Sequence, residues 1–281
     1  QGRKYTVNAT SDTGGPTCNI GNSTQFSLLW TQVLANNFNL VFEECNPNGR
    51  PVSAFIYAKP EAKSTDFAAQ VAEARARHGD FGCNDLMSVM IGVNDVIELF
   101  ETRYLPNPTA DNATAITNEL IDRARRLGQS ITALTGRNRS NIIVSTIPLM
   151  NQTPYGLQKA AENPGKNVLN VLNNFSSQFN TSLRTSIPNN GAYWGLVELD
   201  AFVNAIVQQG VDNRFGVVNW TRAVCDVDLP NCDNLPGIDL VEGGNAATWL
   251  WANDRWIGWK GHANLGSFAR DRAEGNPFGC E

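Results

Sequence analysis

The sequence has 281 residues, a net charge of −5 and only 17% charged side chains, so it lacks the basic balance typical of nucleic-acid-binding proteins. Its hydrophobic fraction of 42% is enough for a sizeable core, and its apolar runs are too short for a transmembrane segment. Length alone allows one large domain or two small ones. Because no repeat, low-complexity tract or linker divides the chain, we expect a single domain over residues 1–281.

In the first half of the chain, the spacing of apolar residues predicts helices and strands in alternation. Residues 1–25 are polar and rich in turn residues, which indicates a loop. Apolar side chains at helical spacing predict helices over three stretches: 26–38, 67–78 and 112–134. Aliphatic runs predict a short strand over 52–57 and a buried strand that ends at Gly92.

The second half continues the alternation. An apolar run over 141–147, stopped by Pro148, predicts a buried strand, and residues 195–199 predict another. Residues 212–248 are predicted to be a long loop region. Helices are predicted over three stretches: 168–183, 200–209 and 261–274. Strands that alternate with helices predict an α/β fold with a mostly parallel sheet and helices on both faces.

The strand that ends at Gly92 is followed by Val93, Asn94 and Asp95. In open α/β sheets, ligands bind at the carboxyl ends of the strands. Asn94 would bring an amide donor to that edge, and Asp95 an acceptor that can hold the turn. The alternative is an Asn-Asp turn that caps a helix over 96–101.

The six cysteines are even in number and contain no Cys-x-x-Cys pair; they are Cys18, Cys45, Cys83, Cys225, Cys232 and Cys280. This pattern argues against a zinc site and for up to three disulfides in an oxidising compartment. Cys225 and Cys232 bracket a short polar loop and are the pair that we expect to be bridged. Scattered buried thiols are the alternative.

Eight Asn-x-Ser/Thr triplets occur, and they begin at Asn8, Asn22, Asn112, Asn138, Asn151, Asn174, Asn180 and Asn219. Such triplets accept glycans only in a eukaryotic secretory pathway. They make a glycoprotein one interpretation of the chain.

Several short segments, taken in order, resemble the GDSL/SGNH hydrolase family of secreted ester hydrolases. These segments are Gly-Val-Asn-Asp at 92–95, the strand at 141–148 with Thr-Pro at 153–154, Leu-Asp-Ala-Phe at 199–202, and the stretches 216–225 and 251–262. The resemblance implies a flavodoxin-like three-layer fold. It also implies acyl transfer by a serine nucleophile, with a histidine base, an acid that orients the histidine, and amide donors for the oxyanion.

The resemblance assigns these roles to particular residues. Asn94 matches the side-chain donor of the oxyanion hole, and Gly92 of the same block is expected to bind the substrate. His262 lies in the family's last block and is the expected base, with Asp254 as its acidic partner. The other histidine, His78, ends a predicted helix, where a cation favours the macrodipole. A packing residue at a helix N-terminus is the alternative for His262.

Two departures from the family pattern affect these roles. The family writes its acid and base as Asp-x-x-His, and alignment on His262 puts those two positions at Asn253 and Trp256. Where the family has a glycine whose N–H joins the oxyanion hole, this chain has Pro60 and Glu61. We expect Glu61 to bind the substrate; a carboxylate that faced the hole would repel the developing oxyanion, so the alternative is that Glu61 points away or takes another role.

The serine nucleophile is a third departure, because Gly-Asp-Ser does not occur in the first residues. One alignment puts the nucleophile position at Ala9. The other matches residues 2–8 to a segment that follows the first block in some bacterial members. We favour the second alignment, in which the first strand and its serine lie in an N-terminal segment missing from this chain, upstream of Gln1.

Four tryptophans crowd the segment beside the expected site: Trp249, Trp251, Trp256 and Trp259. Aromatic side chains there can stack on a sugar ring or line an acyl pocket, and Trp256 is the one that we expect to bind substrate. The alternative is that they form core at the end of the sheet.

Two functions are consistent with the sequence. In the first, the chain is a secreted carboxylic ester hydrolase, extracellular or periplasmic, that acts on a small-molecule, lipid or carbohydrate ester and whose nucleophile is not identifiable here. In the second, it is an inactive relative that keeps the fold and binds a ligand or partner. A third interpretation, a structural glycoprotein, is supported only by the glycosylation triplets. No metal, cofactor or nucleic-acid partner is expected.

Overall fold

The computed structural model describes residues 28–43, 46, 49–138, 141–187, 194–229, 232 and 239–275. The chain forms two compact units, of which the first comprises residues 1–60 and 205–271 and the second residues 61–204 and 272–281. The segment expected to align with the nucleophile block and three cysteines (Cys18, Cys45 and Cys280) lie outside the described residues. A single domain stays a prediction.

The second unit contains a parallel sheet of three strands in the order β1-β2-β3, in agreement with the parallel sheet predicted from the alternation of strands and helices. The strands are β1 (Leu86–Met90), β2 (Asn141–Ser145) and β3 (Trp194–Val197). Met90 pairs with Ser145, and Ser145 pairs with Val197, so the three carboxyl ends meet at one edge. The central strand β2 is buried along its whole length, which explains its nearly continuous apolar run.

Helices follow each of these strands, which confirms the mixed α/β fold with parallel strands. The helices of the chain are α1 (Trp30–Asn37), α2 (Phe67–His78), α3 (Val93–Leu99), α4 (Ala110–Asn138), α5 (Pro154–Glu162), α6 (Val168–Ser186), α7 (Leu199–Gln209) and α8 (Trp259–Gly275). A π-helical turn, Phe100–Tyr104, continues α3. Among the described helices, none is both long enough and apolar enough to cross a membrane.

The two longest helices, α4 and α6, pack closely against each other in the second unit. A Cβ on Gly128 would lie 2.5 Å from the Cβ of Ser186, so glycine is needed for this approach. The hydroxyl of Ser182 donates a hydrogen bond of 2.8 Å to the carbonyl of Ile121. Buried apolar residues recur three or four positions apart on both helices, for example Ile116, Leu120, Ala124, Leu127 and Ile131 on α4 and Leu172, Phe175, Phe179 and Leu183 on α6.

The first unit contains α1, a parallel pair of strands and most of α8. The strands are β4 (Asn219–Ala223) and β5 (Trp249–Trp251). The helix α1 packs on α8, because a Cβ on Gly266 would lie 2.5 Å from the Cβ of Val33. A cluster of buried side chains that includes Val224, Leu240 and Trp249 forms core beside the two strands.

Two predictions of secondary structure are wrong. The stretch 52–57 is not a strand, because it makes one isolated bridge, Ala54 with Phe42, and is otherwise extended chain without a ladder. The predicted loop region 212–248 contains β4. Its sequence, Asn-Trp-Thr-Arg-Ala, is mostly polar, and its residues are exposed or half-buried, so it lacks the apolar run that marks a buried strand.

Candidate active site

The Gly-Val-Asn-Asp signature lies where the carboxyl end of β1 turns into α3. Gly92 has a φ of 131°, a backbone conformation that favours glycine. A Cβ at this position would also lie 2.4 Å from Cε1 of Phe179. Both observations require glycine here. Asn94 is the second residue of α3 and half-buried, so it stands just past the carboxyl end of β1.

The two polar side chains of the signature hold the loop that precedes α2. Asn94 Nδ2 donates a hydrogen bond of 3.0 Å to the carbonyl oxygen of Ala62. Asp95, which is fully buried, accepts hydrogen bonds from the backbone N–H of Ser64 at 2.8 Å and from its hydroxyl at 2.7 Å. One donor of the Asn94 amide is therefore already engaged by a protein carbonyl.

An ion cluster surrounds Asp95. Arg123 of α4 contacts Asp95 at 3.2 Å, Glu98 at 2.9 Å and Glu119 at 2.6 Å. Desolvation by burial opposes the charge of Arg123, but the hydrogen bonds from these carboxylates outweigh it and raise the pKa of the guanidinium. Lys63 extends the cluster through a contact of 2.7 Å with Glu98. The loop, α3 and α4 are thus joined by a network whose centre is buried.

Glu61 occupies a backbone conformation that is typical of glycine. Its φ is 58°, and its side chain is exposed. A residue with a Cβ loses about 1–2 kcal/mol in this region relative to glycine. Pro60 precedes it and has no N–H to offer. The loop thus has a glycine-like backbone at the position where the resemblance expects a glycine, but carries a carboxylate there.

His262 lies in the first turn of α8, where its ring is engaged by α1. The backbone N–H of Trp30 donates a hydrogen bond of 3.3 Å to His262 Nδ1. Nδ1 is therefore the acceptor, which puts the proton of the neutral ring on Nε2. The residue is half-buried, and desolvation of its ring lowers the pKa to about 3. The ring is neutral at physiological pH, and its role as a base stays a prediction.

Asp254 and His262 have different partners within the described part of the first unit. The carboxylate of Asp254 accepts two hydrogen bonds from Arg255, at 3.0 Å from Nε and 2.8 Å from Nη2. Nδ1, the nitrogen that an orienting acid would contact, accepts the N–H of Trp30 instead. The role of Asp254 as acidic partner stays a prediction.

The positions that the resemblance gives to the family's acid and base form a tight turn. Asn253 Oδ1 accepts the backbone N–H groups of Arg255 at 3.1 Å and Trp256 at 2.8 Å. The N–H of Ala252 donates to the carbonyl of Trp256 at 2.9 Å, which closes the turn. Trp256 is half-buried. The other three tryptophans of the segment are buried core residues: Trp249, Trp251 and Trp259.

The disulfide expected between Cys225 and Cys232 is present, with its Cα atoms 5.9 Å apart. A loop of this length stabilises the fold by about 2–3 kcal/mol, by the estimate from the restricted unfolded chain. Cys83 is also disulfide-bonded, and its partner lies outside the described residues.

The glycosylation triplets differ in access to solvent. Asn180 is fully buried, and its Nδ2 donates to the carbonyl of Ile147 at 2.8 Å and to Asp200 at 3.1 Å. The triplet at Asn151 ends on the buried Thr153. Asn174 is exposed on α6. Among these three, only Asn174 has the exposure that a folded glycan site needs.

Several structural residues of this region were missed from the sequence. Ser64 and Arg123 were not singled out, although Glu119 and Arg123 stand four apart on a predicted helix, which is a recognisable ion-pair spacing. A second polar cluster ties the ends of β2 and β3 together. In it, Asp200 accepts hydrogen bonds from Thr146 at 2.8 Å and from Arg184 at 2.7 Å.

The comparisons with known proteins agree with this architecture. The sequence model of the family described as GDSL-like Lipase/Acylhydrolase matches residues 9–227, which is more than half of the chain. Asp254, Trp256 and His262 lie beyond the end of that match. No curated protein matches the chain. The general chemistry of this domain family is the hydrolysis of esters. The chain belongs to the GDSL-like lipase/acylhydrolase family.

Proposed function

We propose that this chain is a non-hydrolytic member of the family, which uses the acylhydrolase fold to bind an ester-bearing ligand. The observation that carries the proposal is the hydrogen bond from the Trp30 N–H to His262 Nδ1. A histidine that activates a serine donates from Nδ1 to an acid and accepts the serine proton at Nε2. In this chain Nδ1 accepts, so Nε2 carries a proton and has no lone pair for the serine.

The electrostatics of His262 support the same proposal. A general base works best when its pKa lies near the working pH. Desolvation lowers the pKa of His262 to about 3, so the imidazolium that acyl transfer forms would be disfavoured. Of the two histidines in the chain, the other is His78, an exposed residue at the end of α2.

The ligand class follows from the family and from the charge of the chain. Family members act on esters, so a small-molecule, lipid or carbohydrate ester is the proposed ligand, and Gly92, Asn94 and Glu61 are the proposed contacts in the second unit. The net charge of −5 gives no electrostatic reason to propose a nucleic acid. We place the protein outside the cytoplasm, extracellular or periplasmic, because the Cys225–Cys232 disulfide favours an oxidising compartment.

A second candidate function is active ester hydrolysis, with a serine from outside the described residues and with Asn94, Asp254 and His262 as catalytic groups. It is favoured by the family match and by Asn94, whose second amide hydrogen is available to an oxyanion. Activity by this route requires the Trp30 hydrogen bond to break and the His262 ring to change tautomer.

Turnover of p-nitrophenyl butyrate by the full natural protein separates the two candidates. The proposal predicts no turnover above background, together with saturable ester binding in calorimetry. Turnover that His262→Ala abolishes, with the fold intact by circular dichroism, would establish the second candidate.

A reversion experiment tests the proposal from the other direction. The double variant Asn253→Asp with Trp256→His restores the family's Asp-x-x-His spacing, and Glu61→Gly restores the glycine of the loop. If the natural protein carries a serine nucleophile, the triple variant should gain ester turnover. The matched control is Trp220→His with the same two other changes, which should stay inactive because residue 220 lies outside the motif.

A further inference from the structure

We propose that a loop of the first unit docks on the surface of a bilayer that contains anionic phospholipids. This valine loop comprises residues 210–218. Val211 and Val218 are the side chains that enter the bilayer, and the cations beside them contact lipid phosphates. The inference goes beyond the proposed function and does not depend on it, because the proposed ester contacts belong to the second unit.

Two valines of this loop are unusually exposed for aliphatic side chains. Val211 is 69% exposed and Val218 is 58% exposed. Among the large apolar side chains that the structure describes, the next most exposed are Phe38 and Val52, each at 39%. A single exposed valine is ordinary on a protein surface. Two that lie close together form an apolar surface that gains free energy when it leaves water.

The side chain of Asn213, which is only 6% exposed, brings the two valines together. Its Nδ2 donates hydrogen bonds to the carbonyl oxygens of Gly210 at 2.5 Å and Val217 at 2.7 Å. Val211 and Val218 are the residues that directly follow these two carbonyls, so both valines begin beside the same amide group. Because this buried amide already closes the loop, little conformational entropy is lost when the loop docks.

Aromatic rings hold the valine loop on the first unit. A Cβ on Gly210 would lie 3.8 Å from Cη2 of Trp220, so the indole packs beside the start of the loop. Phe215 contacts Phe268 of α8 edge to face, with ring centroids 6.2 Å apart. The loop is therefore attached to a strand segment and to a helix, and its valines nevertheless stay exposed.

Positive charges accompany the two valines. Arg214 is exposed, and its guanidinium lies 5.0 Å from the centre of the Phe215 ring. Lys260 of α8 reaches the same loop, because its Nζ lies 3.3 Å from the position of a Cβ on Gly216. Asp212 is the one carboxylate within residues 210–218. The loop and its neighbour on α8 thus carry more positive than negative charge.

A third cation stands at the end of the loop. The backbone N–H of Arg222 donates to Asn219 Oδ1 at 3.1 Å, and Asn219 directly follows Val218. In the described part of the chain, Arg214, Lys260 and Arg222 form no ion pair with a carboxylate, so each is available to a lipid phosphate.

The arrangement favours an anionic bilayer as the partner. Aliphatic side chains with cations beside them match a bilayer, in which phosphates lie above an apolar layer. The whole chain has a net charge of −5. At physiological ionic strength, however, charges are screened over a Debye length of about 8 Å. The local cations therefore decide the attraction to the headgroups.

Sedimentation of the full natural protein with vesicles tests the inference. The protein should bind vesicles of phosphatidylcholine with phosphatidylglycerol, and it should bind more weakly to pure phosphatidylcholine or at high salt. Val211→Ser with Val218→Ser should weaken binding by about tenfold or more, and Arg214→Gln by about fivefold. Val218→Trp should strengthen it, because indole prefers the membrane interface. The matched control is Val52→Ser, which should leave the affinity unchanged.

Ether-linked lipids separate this inference from the proposed function. Vesicles of dialkyl phosphatidylcholine and dialkyl phosphatidylglycerol offer the same charged surface without an ester bond, so the valine loop should bind them equally well. Binding to the ester-linked vesicles alone would overturn the inference and support the proposed ester ligand. Absence of binding to either vesicle, with binding of p-nitrophenyl butyrate intact, would overturn the inference while the proposed function stands.

Two further outcomes would contradict a bilayer as the partner. Vesicle binding that the double valine variant leaves unchanged would assign the contact to another surface of the protein. Self-association without vesicles, abolished in the same variant, would assign the valine loop to a contact between two copies of the chain. Light scattering measures that association, and circular dichroism checks that the variants keep the fold.

Discussion

The loop that the signature holds and the turn that ends at Trp256 use polar residues in different ways. At the first, Asn94 and Asp95 keep the residue types of the family and bind the Ala62–Ser64 segment through three hydrogen bonds. At the second, Asn253 and Trp256 replace the acid and the base, and Asn253 closes a turn.

This difference shows that a family signature can persist for structural reasons. Asp95 is fully buried and joined to Ser64 and Arg123, so its replacement would leave buried donors without their acceptor. The ion pair of Asp254 is local and partly exposed, and its replacement would cost little. Retention of the signature is therefore expected whether or not the chain hydrolyses esters.

The largest expected effect is that of Asp95→Ala. Removal of this carboxylate leaves Arg123 partly uncompensated and frees both donors of Ser64, so the free energy of unfolding should fall by about 3–5 kcal/mol. Chemical denaturation measures it. Asp254→Ala is the matched control and should cost at most about 1 kcal/mol. Equal losses of stability in the two variants would contradict the difference between the buried network of Asp95 and the local ion pair of Asp254.

The next effect is a pH dependence in the C-terminal segment. The pKa of His262 is lowered to about 3 from 6.5. Between these two pH values, His262 binds a proton in the unfolded chain but not in the folded chain. The titration of His262 therefore leaves the free energy of unfolding unchanged above pH 6.5 and lowers it as the pH falls toward 3. The loss is at most about 1.4 kcal/mol per pH unit in this window, and the partial exposure of the residue makes this an upper bound.

His262→Asn isolates that dependence, since its Oδ1 falls near the position of Nδ1 and can accept the Trp30 N–H without binding a proton. Stability measured between pH 7 and pH 4 should fall less steeply in this variant than in the wild type. Asn264→Ala, a change on the same helix that removes no titratable group, is the control and should keep the wild-type slope. Parallel profiles for wild type and His262→Asn would contradict a desolvated ring.

A smaller effect is expected for Asn94→Ala. The variant loses the hydrogen bond to the half-buried carbonyl of Ala62, which should lower the free energy of unfolding by about 1 kcal/mol. Asn264→Ala is a suitable control. Asn264 also donates from its side chain to a carbonyl, that of Lys260, but this carbonyl lies within α8, where a backbone N–H of the helix can serve as its donor. A neutral Asn94→Ala would indicate that Asp95 alone holds the loop.

The smallest expected effect has the opposite sign. Glu61→Gly removes a Cβ from a left-handed backbone and should relieve about 1–2 kcal/mol of strain, offset by about 0.4–1 kcal/mol of added freedom in the unfolded chain. Thermal unfolding should show a net gain of roughly 0.5–1 kcal/mol. Lys59→Gly, nearby on the same exposed segment, should be destabilising. A loss of stability in Glu61→Gly would mean that its carboxylate stabilises the loop.

Local patterns were enough to predict most elements of the second unit, although the helix α5 was missed. The apolar run that became β2 was visible because this strand is buried on both faces, whereas β1, predicted to be buried, is mostly half-buried and has Ser88 exposed. The helix over residues 67–78 was predicted at its observed bounds. The strand β4 was missed because it is short, polar and mostly accessible, so its pairing with β5 is decided by residues distant in sequence.

The candidate site was predictable only in part, for a related reason. Asn94 could be placed from the strand and glycine that precede it. The state of His262 could not, because its ring is fixed by Trp30, which stands 232 positions away. The partner of Asp95, Ser64, is likewise 31 positions distant. Tautomer and pKa depend on such contacts, whereas motif spacing records only residue types.

The burial of Asn180 has a consequence for how the protein can be produced. Oligosaccharyl transfer takes place on the nascent chain, before Asn180 can be enclosed beside Asp200 and the Ile147 carbonyl. A glycan attached at that stage would occupy the nitrogen that makes both hydrogen bonds, and its bulk would not fit a fully buried site. Recombinant chains from yeast or insect cells should therefore fold poorly wherever this triplet is modified. A bacterial host with periplasmic export avoids the modification and still allows the disulfides to form.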